Sequence, residues 1–304
     1  MKDIKKYTDV IRYGKASTQD VIKEGDYISI TEKIDGANAS FCFDTENSLG
    51  VSCYSRNQSL SEENRLRGYY DWILNNIIPI KEKLNPNYRY IGEWLISHKV
   101  VYKEDAYYNF YLFSIWDEDA EQYLHDNIVK SEAERLGLNT VTYFYEGQYI
   151  SFEHLMSFVG KSNLTLEPDT GEGIVVKNVN YKDRFGKQMF VKLVSEKFAE
   201  VQKQKLPKNP NKDNAFSIAI QSVLTKARVE KLLYKLLDEQ FINEDYGIKD
   251  MGTILKLLGS RVYDDICKEE FETIQDIEVG LVTRTIGKKL PVIVREILKD
   301  QGRI

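Results

Sequence analysis

The sequence predicts an α+β protein in two parts: a mixed strand-and-helix domain over residues 1–206 and a small all-helical domain over residues 207–304. Three observations predict it. The 304 residues exceed the ~100–200 of one ordinary domain. The first two thirds carry short segments rich in Val, Ile, Tyr and Phe, bounded by Gly, Asn, Asp or Pro, the pattern of strands. Beyond a polar stretch at 204–214 that holds Pro207 and Pro210, apolar residues recur at helical spacing.

Taken in order, strands are expected at 27–31 (YISIT), 88–94 (YRYIGEW), 109–116 (NFYLFSIW), 173–177 (GIVVK) and 188–194 (QMFVKLV). A helix is expected over 61–77, where Ser61 and the acids after it form a start signal. Another is expected over 126–138, with Gly137 as its stop. The linker falls at about 205–214. After it, Ile220, Val223, Leu224 and Ala227 follow the i, i+3, i+4, i+7 rule. So do Val229, Leu232, Leu233, Leu236 and Leu237, and later Leu290, Ile293, Val294, Ile297 and Leu298. No internal repeat is present.

A formal charge of −5 does not suggest a nucleic-acid binder, but distribution matters more than the sum. Residues 177–212 hold ten Lys or Arg against three Asp or Glu, a candidate phosphate-facing surface. Cys42, Cys53 and Cys267 form no C-x-x-C, and His98, His125 and His154 lack ligand spacing, which argues against structural zinc. So few cysteines suit a reducing compartment. The first residues lack the apolar run of a signal peptide, and no stretch approaches the ~18–20 apolar residues of a membrane span. The chain reads as cytoplasmic, with no membrane partner. The P-loop pattern fails because Leu155 stands where Gly160-Lys161-Ser162 would need a glycine, and no dinucleotide fingerprint, G-x-S-x-G or H-E-x-x-H occurs.

The segment TEKIDGANASF (31–41) offers another device. A strand runs into Lys33, and Gly36 permits a turn just after, so the lysine sits on a rigid element facing a cleft. A lysine amine becomes a nucleophile when desolvation or neighbouring cations lower its pKa. Bound to phosphorus, it forms a covalent nucleotide intermediate. Asp35 is placed to position the lysine or a metal. The K-x-D-G tetrad alone arises by chance in on the order of 0.05 of chains this long, so its weight comes from company.

That company is an ordered series. EKIDGAN (32–38), YSRNQSL (54–60), YIGEWL (90–95), FYLFSIWD (110–117), EGIVVK (172–177) and FVKLVSEKF (190–198) resemble the successive motifs of covalent nucleotidyltransferases, that is, ATP-dependent DNA ligases, RNA ligases and mRNA capping enzymes. The string E-K-x-x-G-A-N-x-S and the K-F-x-E ending look most like the RNA ligase 2 type. The resemblance implies an ATP-grasp-like ligase domain of antiparallel sheets with flanking helices. It implies Lys33 as the adenylylated residue, ATP with Mg²⁺ or Mn²⁺, and RNA 5′-phosphate and 3′-hydroxyl ends as partners, at nicks in duplexes, with a helical domain that binds the RNA end. The motif chemistry needs one chain, so a monomer is expected.

The resemblance also assigns roles. Glu93 would accept from ribose hydroxyls, Phe113 would stack on adenine, and Glu32 would accept from the adenine amino group. Arg56 would hold a phosphate, and Asn38 would contact the 5′-phosphate. Glu172 is a hard oxygen ligand suited to the metal. Lys177 and Lys192 would neutralise the triphosphate. Related ligases commonly carry two lysines two apart in the last motif. Here Val194 occupies the second place, so either one lysine suffices or Lys187 or Lys197 supplies that contact. A DNA nick ligase or a GTP-dependent capping enzyme usually follows this motif with an OB-type barrel, and helical periodicity stands there instead. An inactive nucleic-acid-binding module is the third reading, against which the intact Lys33, Glu93, Glu172 and Lys192 count.

Overall fold

The computed structural model describes residues 2–195, 198–199 and 212–304. The chain forms two compact units, Met1–Ser195 and Glu196–Ile304. The expected boundary at 206/207, most of the expected linker and Lys197 lie outside the described residues.

The first unit contains strands β1 (Val10–Arg12), β2 (Tyr27–Lys33), β3 (Ala37–Phe43) and β4 (Val51–Ser55) and a short helix α1 (Tyr69–Trp72). Then come β5 (Tyr88–Trp94), β6 (Phe110–Asp117), β7 (Gln122–Tyr123), helix α2 (Asp126–Leu136), β8 (Asn139–Thr140), β9 (Tyr143–Gln148), helix α3 (Phe152–Met156), β10 (Gly173–Lys177) and β11 (Phe190–Val194). One sheet has the order β1-β11-β10-β2-β9, and the other β4-β3-β5-β6-β7 with β8 on β6. All pairings are antiparallel except β1 with β11 and β6 with β8.

The five expected strands form where the aromatic and β-branched residues sit. β3 and β4 escaped sequence reasoning because Ala, Asn and Ser are weak strand formers. Pairing on both sides of β3 and near-complete burial of β4 override that weakness. The expected helix at 61–77 is shorter. Leu66, Arg67 and Gly68 take φ of +43°, +50° and +97°, a left-handed turn that no α-helix can contain, so the helix starts only at Tyr69. It continues as a π turn over Ile73–Ile77 and a 3₁₀ turn over Ile78–Lys83. Helix α2 meets its expectation, closed by Gly137 at φ +69°.

The sheets are apolar for different purposes. Ile28, Ile30, Ile174, Val176, Val191 and Leu193 fill one core on the outer face of the first sheet. Phe41, Tyr90, Phe110, Leu112 and Val129 belong to a second core under α1 and α2. A smaller cluster takes Ile91, Trp116 and Tyr123 from the second sheet and Phe190 from the first, with Tyr7, Phe113 and Val175 against it, and so joins the two sheets.

The second unit is helical as expected: α4 (Lys212–Val223), α5 (Lys226–Asp238), α6 (Met251–Glu269), α7 (Phe271–Ile274) and α8 (Val279–Asp300). Its core takes Val229, Leu233, Val294 and Ile297 from the faces that periodicity marked, joined by Ile254 and Leu258 of α6. The run from Ile220 to Ala227 is broken, because Thr225 accepts from the Arg228 N–H and caps a new helix. Among the described residues, no helix is long and apolar enough to cross a membrane.

Candidate active site

The site grows from one crossover. β2 ends at Lys33 in the first sheet, and after three intervening residues β3 begins in the second. Gly36 makes the passage possible: a Cβ there would lie 2.6 Å from the Trp94 carbonyl oxygen and 3.1 Å from Glu93 Cγ. The Gly36 N–H instead donates to Glu93 Oε1 at 3.1 Å.

Register then sorts the side chains. Val175 pairs with Thr31 on one side and Lys192 on the other, Lys177 pairs with Ser29, and Gly173 pairs with Lys33. Strand alternation puts Lys33, Val175, Lys177 and Lys192 on one face, opposite the apolar core. Asn38 stands directly across from Glu93, so these two also share a face. Lys33 Nζ lies 2.6 Å from Glu172 Oε2, at the entrance to β10.

The electrostatics reverse one expectation. Burial pushes the Lys33 ammonium toward release of its proton, but Glu172, Glu93 and Asp35 outweigh burial and hold its pKa above the ordinary value. The lysine is therefore a paired cation, not one pre-activated by desolvation or by cations, because the crossover gathers carboxylates around it. Burial raises Glu172 against the opposing charge of Lys33. Burial also pushes Glu93 up to about 8, with Lys33 opposing and Glu172 adding. At neutral pH Glu93 is a protonated carboxyl, able to accept and to donate.

This carries a pH dependence. Between the unfolded value of 4.5 and about 8, the folded protein holds a proton on Glu93 that the unfolded chain has lost. Stability therefore falls as pH rises through that window. Glu93→Gln keeps the shape and cannot ionise. We expect a melting temperature above wild type at pH 9 and equal to it near pH 5, in thermal unfolding at both pH values. Equal melting at pH 9 sinks the assignment.

Asp35 serves the positioning alternative. Its Oδ2 accepts the N–H groups of Lys99 and Val100, both at 2.9 Å, and its Oδ1 lies 3.5 Å from His98 Nδ1. Burial raises its pKa, but His98 and the backbone donors prevail and hold it below the ordinary carboxylate value. Its own N–H donates to Tyr102 Oη at 2.7 Å. Asp35 thus ties the lysine loop to residues 98–102. His98 and Tyr102 were not singled out for this site, since no local spacing marks them.

Two candidates differ from their expected places. Glu32 is buried and bonded to Thr142 Oγ1 at 2.6 Å and to Ser162 Oγ, on the face of β2 opposite Lys33, so alternation separates it from the lysine. Lys177 is 2 % exposed and donates to Asp126 Oδ1 at 2.8 Å and to the Phe113 carbonyl. A bulge between β5 and β6 frees that carbonyl, since Ile91 pairs with Ser114 and Gly92 with Leu112, skipping Phe113. Lys177 is thus committed to a buried ion pair rather than to an open phosphate site. Phe113 itself packs on Tyr7 at 4.9 Å between ring centroids, beside Val175.

Arg56 pairs with Asp9 at 3.1 Å, both side chains part-exposed, a weak contact that a phosphate can displace. The basic stretch is not one surface. Lys177 and Lys192 are buried, Lys182, Arg184 and Lys187 are exposed around the β10–β11 connection, and the stretch beyond 199 lies outside the described residues as far as 211. Val194 closes β11 opposite Gly173. Among the described residues, no group of three or more His, Cys, Asp or Glu is arranged to hold a metal. The oxygens present suit an ion that takes one or two carboxylates and completes its shell with phosphates and water, the habit of Mg²⁺.

Known proteins similar to this chain are RNA ligases. A solved structure of a Naegleria gruberi RNA ligase with pyrophosphate is similar at 21% identity and a TM-score of 0.48, covering 65% of this chain and 58% of that one. A variant of the same ligase with ATP and Mn gives 17% identity and 0.43, covering 64% and 57%. The chain thus spans less than two thirds of these structures. No curated protein matches the sequence. The family model described as RNA ligase matches residues 26–194, more than half of the chain. That match opens just ahead of the strand carrying Lys33 and closes with the strand carrying Lys192, and on it the chain belongs to the RNA ligase family.

Proposed function

We propose that this protein joins RNA 5′-phosphate and 3′-hydroxyl ends at the expense of ATP, at nicks in duplexes, with AMP carried on Lys33. The observation that supports this most is the Lys33–Glu172 pair at 2.6 Å at the sheet crossover, with Glu93 bonded to the Gly36 N–H of that crossover and Lys192 on the same face as Lys33.

Three steps follow. Lys33 first gives up its ammonium proton, for which Glu172 is the nearest acceptor. The Nζ lone pair then attacks the α-phosphorus of ATP, an N–P bond forms, the bond to pyrophosphate breaks, and a second proton leaves the nitrogen for solvent. An oxygen of the RNA 5′-phosphate then attacks the same phosphorus, and the N–P bond breaks as two protons return to Nζ and restore the ammonium. Finally a 3′-hydroxyl attacks the 5′-phosphorus of the RNA-adenylate, its proton passes to solvent, the phosphodiester forms and AMP departs. Lys192 would add positive charge where phosphate charge develops, and Asn38 would contact the 5′-phosphate. Phe113 and Val175 form the apolar walls for the base, and Arg56 exchanges Asp9 for a phosphate. Glu172 would hold a divalent cation, which when bound neutralises phosphate charge, and Glu93 would accept from the ribose hydroxyls. The helical unit is assigned to RNA-end binding by family likeness, and the protein acts as a monomer.

The test is incubation with a divalent cation and ATP labelled at the α-phosphate, followed by denaturation. Label on the protein is expected with ATP and not with GTP. Labelling by GTP alone would move the reading to capping, and no label at all would end it. Nicked duplexes carrying RNA or DNA on the 3′-hydroxyl side then decide strand preference.

A further inference from the structure

Two strained loops meet beside the site, and each presents a side chain suited to nucleic acid. Tyr108 is 66% exposed although its backbone sits at φ +56°, a region that a bulky residue avoids. The loop around it is held firmly. The Tyr108 N–H donates to the Leu95 carbonyl at 2.8 Å, and the Leu95 N–H donates to the Asn109 carbonyl at 3.0 Å. Asn109 Nδ2 donates to the carbonyls of Asp105 and Tyr107. Next to it, Tyr107 points the other way, accepting from the Tyr102 N–H at 3.0 Å, and Tyr102 in turn holds Asp35. One tyrosine anchors the loop to the lysine turn, and the other faces solvent.

The second loop is the left-handed turn at 66–68. Leu66 is buried as its anchor. Arg67 lies over the rim, with Nη1 3.5 Å from the Ser97 carbonyl, one residue from His98, which pairs with Asp35. Trp94 joins the loops. Its indole N–H donates to the Arg67 carbonyl at 3.3 Å, and its ring meets that of Tyr108 edge-on at 6.3 Å. Trp94 itself faces the core under α1 and α2, on the side of β5 opposite Glu93, so it is Tyr102 and His98, through Asp35, that tie the two loops to the lysine turn. Strained backbone held this tightly is characteristic of ligand-contacting positions, and neither an exposed tyrosine nor an arginine at the rim is needed by the core.

We infer that the Arg67–Tyr108 rim binds a nucleotide of the polynucleotide substrate beside the end being joined, with Tyr108 stacking on a base and Arg67 pairing with a phosphate. This rests on the ligase reading above. Aromatic stacking accepts any base, and a guanidinium grips phosphate in two places, so the rim adds affinity without sequence choice.

The test uses the full chain and a 5′-phosphorylated nicked RNA duplex, with binding followed by fluorescence anisotropy over a salt series. Tyr108→Gly is the informative variant, because glycine relaxes the φ +56° backbone as it removes the ring. It should melt no lower than wild type yet bind RNA about tenfold more weakly, while Tyr108→Phe binds as wild type does. Arg67→Asn, tolerated in the same backbone region, should lower the slope of log K against log salt by about one. Labelling by ATP without RNA stays within about twofold in all three, as expected for groups that meet RNA and not nucleotide. Wild-type RNA affinity in Tyr108→Gly overturns the inference, as would be the case for a rim that docks another protein. A labelling loss that parallels the binding loss also overturns it, since the rim would then be a prop for Glu93. Wild-type protein that takes no label but still loses RNA affinity in Tyr108→Gly strikes the ligase reading alone.

Discussion

Lys33→Arg protein incubated with α-labelled ATP takes up no label, a loss on the order of 10⁴-fold or more, the scale seen when a nucleophile is removed. Arginine keeps the positive charge that Glu172, Glu93 and Asp35 surround, so the buried carboxylates stay compensated and the melting temperature holds close to wild type. What it lacks is a form that can attack phosphorus, because a guanidinium does not give up its proton in proteins. Lys33→Ala is the harsher variant. It leaves Glu172 without its 2.6 Å partner and both destabilises and inactivates. The contrast separates charge from nucleophilicity. Label persisting on Lys33→Arg moves the nucleophile elsewhere, and a collapsed melting temperature in that variant means that geometry rather than charge holds the site together.

Asp126→Ala lowers stability by about 3–5 kcal/mol, the usual consequence of leaving one partner of a buried ion pair alone. Asp126 is 6% exposed and Lys177 is 2% exposed, and their contact at 2.8 Å is backed by bonds to Asp126 from Ser29 and from Tyr143 Oη at 3.2 Å. For a unit of this size the melting temperature should drop by roughly 6–20 °C. The double variant Asp126→Asn, Lys177→Met removes both charges and recovers at least half of the loss. Thermal unfolding of the three proteins checks this, with ATP labelling in parallel. If Asp126→Ala proves fully stable but unlabelled, Lys177 is a phosphate ligand after all, and its buried pairing is incidental.

These two residues mark where sequence reading worked and where it stopped. Lys33 was legible because a strand, a lysine and a glycine stand in a row, and the ordered motifs after it keep their order through residue 198. The alternation of GIVVK and FVKLV already separates an apolar face from one bearing Lys177 and Lys192. Whether a lysine on that face meets solvent or a carboxylate depends on what lies above it. Asp126 comes from the start of a helix 51 positions earlier, and the Phe113 carbonyl is freed by a bulge that side-chain pattern does not encode. Glu32 shows the same limit from the other side: adjacent to Lys33 in sequence, it faces away because neighbours on a strand point to opposite faces.

The sequence by itself determined the strand-rich first unit, the helical second one, the family and the lysine at the centre of the site. The two units follow from local periodicity, and the family and the lysine from the resemblance of motifs close along the chain to those of RNA ligases. Only the tertiary structure decided the charge state of that lysine and the task of Asp35, and it alone brought Arg67 and Tyr108 to one tryptophan. Those depend on groups tens of residues apart, brought together by sheet register, and on burial, which sets how strongly each charge is felt.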